Sequence, residues 1–99
     1  MVQRIVLFKL KDEFCNDAAR SEIAAYTREV FTALEGVRSA HVGVPADAPS
    51  EKSWDLSIVL QFDSIDAVKR YAVDPDHRAY VDDYIRPRME VVKAWNFAI

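Results

Sequence analysis

The nine residues from Trp54 to Phe62 place a large apolar side chain at every second position. Trp54, Leu56, Ile58, Leu60 and Phe62 point one way, and Asp55, Ser57, Val59 and Gln61 the other. Alternation with a period of two marks a strand with one buried face. Such a strand needs neighbours to pair its backbone and a second layer to cover its apolar side. The chain has 99 residues, room for one domain spanning 1–99. Its 51% hydrophobic content is too high for a disordered chain, and its two glycines exclude collagen-like or low-complexity sequence. A domain of this size buries only about 65% of the surface its unfolded chain exposes, so self-association adds margin.

The other elements follow from changes of period. VQRIVLFKLK at 2–11 is β-branched and aromatic, with Val6, Phe8 and Leu10 on one face and Ile5 and Leu7 on the other. From Asn16 to Glu35 the spacing becomes helical, with Ala19, Ile23, Tyr26, Val30 and Leu34 as the apolar stripe and Arg20, Glu22, Arg28, Glu29 and Glu35 as the solvated side. Asn16 or Asp17 caps its start, and Gly36 supplies a left-handed residue at its end. Residues 37–44 form a second strand, followed by an exposed loop, PADAPSEKS. After the strand at 54–62, Asp63 or Ser64 caps a short helix carrying Ile65, Val68, Tyr71 and Ala72. Asp74 and Pro75 then restart a helix at a new angle, burying Tyr80, Val81, Tyr84 and Ile85 and stopping near Pro87. EVVKAWNFAI closes the chain as a strand.

The order is β-α-β-β-α-α-β, an α+β, ferredoxin-like arrangement: a four-stranded antiparallel sheet with helices on one face. The uncovered face should be polar if it met water. It offers Ile5, Leu7, Val59 and Val92 instead, which predicts a homodimer with sheets packed face to face.

Charge and motifs remove several function classes. Thirteen Lys and Arg against sixteen Asp and Glu give a net charge of −3. With no basic block or glycine-rich loop, a nucleic-acid partner is not expected. The single Cys15 has no CxxC or Cys/His companion, and the acidic residues Asp74, Asp76, Asp82 and Asp83 lack the spacing of a dedicated cation loop, so no metal site is expected. The apolar run at the N-terminus is broken by Lys9 and Lys11, unlike a signal peptide or membrane span, and the chain reads as cytoplasmic. There is no GxSxG motif for a nucleophile.

Three residue types stand out as candidates for chemistry. His77 begins the helix after Pro75, where a helix N-terminus disfavours positive charge and keeps the imidazole neutral. Tyr71 lies just before the helix break, and Tyr26 on the first helix projects a further hydroxyl toward the sheet. A neutral His among phenols at an apolar cavity suits acid–base chemistry on an aromatic or keto substrate. Arg4 shares its strand face with Val2, Val6 and Phe8, so it either reaches out at the strand end or awaits an anion. With Ile58 and Tyr80, Phe8 would supply apolar walls. Whether Phe8, Trp54, Tyr80 and Met89 fill the cavity is left open by the sequence.

VQRIVLFKLKDEF, the run WDLSIVLQFDSIDAVKRYAVDPDHRAYV and the closing aromatic strand together resemble the stress-responsive α/β-barrel domain family along essentially the whole chain. Tyr71 followed by DPDH at 74–77 is the most specific element. The resemblance implies a ferredoxin-like protomer, a homodimer joined through its sheets, and a cavity between sheet and helices in each protomer. Some plant members resemble polyketide cyclases, which close a poly-β-keto chain without metal or organic cofactor. Of the His, Tyr and His that form their working set, Tyr71 and His77 carry over, and Tyr26 matches a pocket position. Arg4 stands where the family commonly has a first-strand His. Arginine stays protonated and cannot replace that group as a base, though it could still bind an acidic substrate or an oxyanion.

The resulting expectation is a homodimer that binds a small, partly apolar, acidic or keto ligand and needs no cofactor. His77 would be the base, Tyr71 its partner, and Arg4, Tyr26, Phe8, Ile58 and Tyr80 the ligand-binding residues. The alternatives are a non-enzymatic binding module and a cofactor-independent monooxygenase-like barrel.

Overall fold

The computed structural model describes residues 1–99. Strand β1 (Val2–Leu10) leads through a 3-10 turn at Asp12–Phe14 into helix α1 (Asp17–Thr32). Strand β2 (Ser39–Gly43), a short helix α2 (Ala48–Glu51) and strand β3 (Leu56–Phe62) follow. Helices α3 (Ile65–Val73) and α4 (Pro75–Ala79) run into a π-helical turn at Tyr80–Ile85, and β4 (Met89–Ala98) closes the chain. The strands form one sheet in the order β2-β3-β1-β4, every neighbouring pair antiparallel. This is the expected ferredoxin-like sheet with its main helices on one face.

The alternating pattern of β3 is realised in its burial. Leu56, Ile58, Leu60 and Phe62 are closed off from solvent, facing the helices beside Val6, Phe8 and Leu10 of β1. The local end signals also act as read from sequence. Asn16 caps α1 by accepting the Ala19 N–H at 2.9 Å, and Ser64 caps α3 by accepting the Ala67 N–H. Gly36 takes φ +85°, a backbone conformation that a Cβ disfavours. No helix is long and apolar enough to cross a membrane.

Several expectations change. The buried side of α1 is Arg20, Ile23, Ala24, Thr27 and Phe31, whereas Tyr26 is exposed and Val30 only half-buried. The helix is rotated because two of its polar residues have buried partners. Thr27 Oγ1 lies 2.7 Å from the Tyr80 hydroxyl, and Arg20 meets Asp55. Asp55 does not face outward with Ser57 and Val59. It precedes β3, carries no exposed surface, and accepts the Leu10 N–H at 2.8 Å and the Arg20 Nε–H at 3.0 Å. Its own N–H donates to the Phe8 carbonyl.

Trp54 therefore precedes the strand as well, and it shares a groove with Leu7 and Ser57 on the sheet's outer side. Val92 pairs with Phe8 and so lies on the helix-facing side. The outer-face residues of β4 are Val91, Trp95 and Phe97, opposite Lys9, Ile5 and Gln3. A register shift between Lys9 and Leu10 resets the β4 pairing. Part of the 45–53 loop is helical, with Asp47 capping α2. In α3, Ile65 is exposed and Ala67 takes its place in the core.

Arg20 and Asp55 join α1 to the sheet at a buried site, where removing one partner strands the other. Asp55→Ala should therefore lower unfolding free energy in urea by roughly 3 kcal/mol. Asp17→Ala removes an exposed carboxylate 3.6 Å from the same guanidinium and should cost less than about 0.5 kcal/mol. Equal effects from the two substitutions would refute a central role for Asp55.

Candidate functional site

The site is made by a helix break. Asp74 precedes proline, a position that disfavours helical backbone, and it adopts φ −58°, ψ 129°. Its carboxylate accepts the Asp76 N–H at 2.8 Å, and Pro75 opens α4 without needing an N–H partner. The change of direction lays the His77 ring against that of Tyr71, with centroids 4.1 Å apart. Phe31 from α1 meets His77 edge-on at 6.0 Å and Tyr71 at 6.2 Å. The wider turn after α4, closed by a hydrogen bond from Arg86 N–H to the Val81 carbonyl, carries Tyr80 and Ile85 into the same layer.

Between this layer and the sheet lies a cavity of about 320 Å³. That is at the small end of the range for small-molecule sites. Arg4, Phe8, Ile58, Tyr71, His77 and Tyr80 all line it, so six of the seven residues singled out from sequence come together. The seventh, Tyr26, is exposed on the far side of α1, its ring 4.2 Å from that of Tyr84, beside a separate outer groove. Phe8, Tyr80 and Met89 form walls without closing the space, and Trp54 is not part of it.

His77 is buried, and its Nδ1 lies 3.4 Å from the Ala72 carbonyl. A carbonyl only accepts, so Nδ1 carries the proton in the neutral ring and Nε2 is the basic nitrogen. Burial is the main reason the imidazole pKa lies below its ordinary 6.5. The Ala72 carbonyl and Asp74 oppose that shift, while the charges of Arg78 and Arg4 reinforce it. The dominant cause is thus burial, where the sequence reading looked to the helix terminus. Burial pushes the Tyr71 hydroxyl up, opposed by the positive charge of Arg4, whose guanidinium carbon is 5.9 Å from the ring centre. The Tyr80 phenol is raised further, mainly by burial. Both phenols are therefore hydrogen-bonding groups at neutral pH, and neither is a base.

Arg4 lies half-buried and donates from Nη1 to Asn96 Oδ1 of β4 at 3.0 Å. The β1–β4 register sets Arg4 directly opposite Asn96. Asn96 went unrecognised in the sequence because strand register is not a local property, although the period of two in EVVKAWNFAI does place Val92, Ala94 and Asn96 on one side. Cys15 lies away from the cavity, with Sγ 3.6 Å from Asp55 Oδ2, and burial and that carboxylate push its thiol up. A raised thiol pKa is the wrong direction for a nucleophile. No group of three or more His, Cys, Asp or Glu side chains is arranged to hold a metal ion.

Residues 2–98 match a family model described as the Stress Responsive A/B Barrel Domain, or Dabb. No curated protein sequence matches the chain. Among solved structures, a Dabb family protein with a ferredoxin-like fold from Mesorhizobium loti is 19% identical with a TM-score of 0.82, covering 99% of this chain and 95% of that one. A dimeric ferredoxin-like protein of unknown function from Bacteroides fragilis is 25% identical with a TM-score of 0.80, at 99% and 95% coverage. A hydroxynitrile lyase from Passiflora edulis is 15% identical with a TM-score of 0.77, at 99% and 92% coverage. The first and third likenesses are of fold alone.

The His77 environment has a consequence for stability. Below pH 6.5 the unfolded chain takes up a proton that the folded imidazole resists, so this contribution is present above that pH and is lost as pH falls. His77→Gln should flatten the decline in urea midpoint between pH 7.5 and 5 relative to the parent. In the parent, NMR titration of the His77 ring should give a midpoint below 6.5. A midpoint above that value would contradict the burial argument.

Proposed function

The chain belongs to the stress responsive A/B barrel domain family, and we propose that it is a homodimer whose protomers each bind a small, partly apolar carbonyl compound and move a proton on it. The observation that carries the chemical part is the meeting of His77 and Tyr71, rings 4.1 Å apart, at one cavity with Arg4. A neutral imidazole in an apolar wall is a competent base, and its depressed pKa keeps it unprotonated at pH 7.

In the proposed step, Nε2 of His77 takes a proton from the carbon next to the carbonyl. The C–H electron pair forms the enolate C=C bond, and the carbonyl π pair moves onto oxygen. Tyr71 donates a hydrogen bond to that oxygen, and the charge of Arg4 stabilises the enolate. Returning the proton from His77 to carbon completes an exchange or isomerisation. Attack of the enolate carbon on a second carbonyl of the same ligand would instead close a ring, the π pair of that carbonyl moving onto its oxygen, which takes the proton back from His77. Neither course uses a metal or an organic cofactor.

Two observations support the homodimer. The Bacteroides fragilis relative is dimeric at 25% identity. The outer face of the sheet carries Ile5, Leu7 and Val59 together with Trp95 and Phe97, the last two 46% and 50% exposed in the single chain. A contiguous apolar face of this kind marks an association surface.

The catalytic reading is tested by deuterium exchange next to the carbonyl of 4-phenyl-2-butanone and of phenylpyruvate, followed by proton NMR in D₂O. The protein should accelerate exchange of one or both, and His77→Ala should reduce that acceleration by roughly 10²–10⁴-fold. Full exchange in a folded His77→Ala protein would leave a binding module in which His77 only packs. For assembly, sedimentation equilibrium should give twice the chain mass, with Trp95→Glu shifting the protein to monomer. A monomeric parent protein at high micromolar concentration would overturn the dimer.

A further inference from the structure

The cavity is electrostatically one-sided. Two guanidinium groups, those of Arg4 and Arg78, line it, and no Asp or Glu does, although acidic residues outnumber basic ones sixteen to thirteen in the chain. Arg78 pairs with Asp82 at 2.8 Å, a carboxylate it shares with Arg86 at 3.2 Å. Arg4 makes no ion pair: Nη1 donates to the neutral Asn96 Oδ1, and the guanidinium lies beside Tyr71, 5.9 Å from the ring centre and close enough to its hydroxyl to favour the phenolate. Its Nε is buried and meets no acceptor of the protein. Buried donors almost always have partners, so the Nε–H points to an acceptor that the protein itself does not supply.

The geometry of the guanidinium narrows what completes it. Nε–H and the nearer N–H of Nη2 form one edge of the planar group, a fork that matches the two oxygens of a carboxylate. Asn96 engages Nη1, at a different edge of the planar group, and so leaves Nε–H without an acceptor while holding the group in register across the β1–β4 pair. We propose that Arg4 is the carboxylate-binding residue of the cavity, with Asn96 its positioning residue. The ligand class is then an oxo acid, with its carboxylate on the Nε/Nη2 edge of Arg4 and its apolar remainder among Phe8, Ile58 and Val92. This rests on the reading of the cavity as a ligand site and specifies its substrate. The carbonyl of a 2-oxo or 3-oxo acid lies within one or two bonds of the carboxylate, so an enolate formed there also feels the Arg4 charge.

A matched pair of probes, phenylpyruvate and its methyl ester, separates the carboxylate from the rest of the ligand. Binding is followed by ¹⁵N–¹H NMR titration of the full chain at pH 7. The acid should bind at least tenfold more tightly than the ester, and Arg4→Gln should erase that preference. Asn96 sits exposed on the edge strand β4, so Asn96→Asp is expected to fold even if Arg4→Gln does not. It would give Arg4 an internal carboxylate and should also remove the preference for the acid. Equal binding of acid and ester by the parent protein would overturn the carboxylate assignment and leave the cavity as a ligand site. An undiminished preference in folded Arg4→Gln or Asn96→Asp would likewise overturn it. Binding of neither probe at millimolar concentration would overturn both the assignment and the ligand-site reading beneath it.

Discussion

Asp55 has no exposed surface, and four parts of the chain are organised around it. Its backbone N–H extends the β1–β3 pairing at the Phe8 carbonyl, and its carboxylate accepts from Leu10 N–H, the Cys15 thiol and the Arg20 guanidinium. Arg20 in turn reaches Glu51 of α2 at 3.5 Å. The start of α1 is thereby held to the central strand at a point where apolar contact alone is non-directional. A second polar contact, between Thr27 and Tyr80, ties the middle of α1 to the π-helical turn. With both in place the helix has one azimuth, and that azimuth brings Phe31 against Tyr71 and His77 and leaves Tyr26 outside.

The cavity follows from what this clamp leaves uncovered. The helical layer lies closely over β3 and β1, where side chains reach almost complete burial, but β4 is an edge strand whose residues from Glu90 onward are exposed on both sides. The space between the α4 turn and the β1–β4 side of the sheet is where Arg4, Val92 and Ala94 meet His77 and Tyr71. A polar strand residue facing the helices would be destabilising in a filled core. Beside a cavity, the same residue keeps an open space in front of its polar atoms.

Much of this was legible in local sequence. The strand alternation at β3, the caps at Asn16, Ser64 and Asp74, and the proline restart at Pro75 depend on residues within a few positions of one another, and each appears as read. His77 and Tyr71 were found because a helix break that brings two such residues together is written in the intervening DP pair. Arg20 and Asp55 were misplaced for the opposite reason. Each looks like surface when judged by its neighbours, and only a partner 35 residues away makes burial favourable. Tyr26 was assigned to the buried stripe because its spacing fits a helix face, yet the face chosen by Arg20 and Thr27 lies to one side of it.

By itself the sequence determined the order and kind of the elements, the inward face of the central strands and the position of the helix break, because these follow from short-range periodicity and backbone restrictions. Tertiary structure alone decided that Arg4 stands opposite Asn96, that Val92 faces inward while Trp95 and Phe97 face out, and that a cavity remains between sheet and helices. Those outcomes depend on strand register and helix rotation. Both are set by contacts between residues far apart in the chain, and a one-residue change in register would have turned every β4 side chain to the other face.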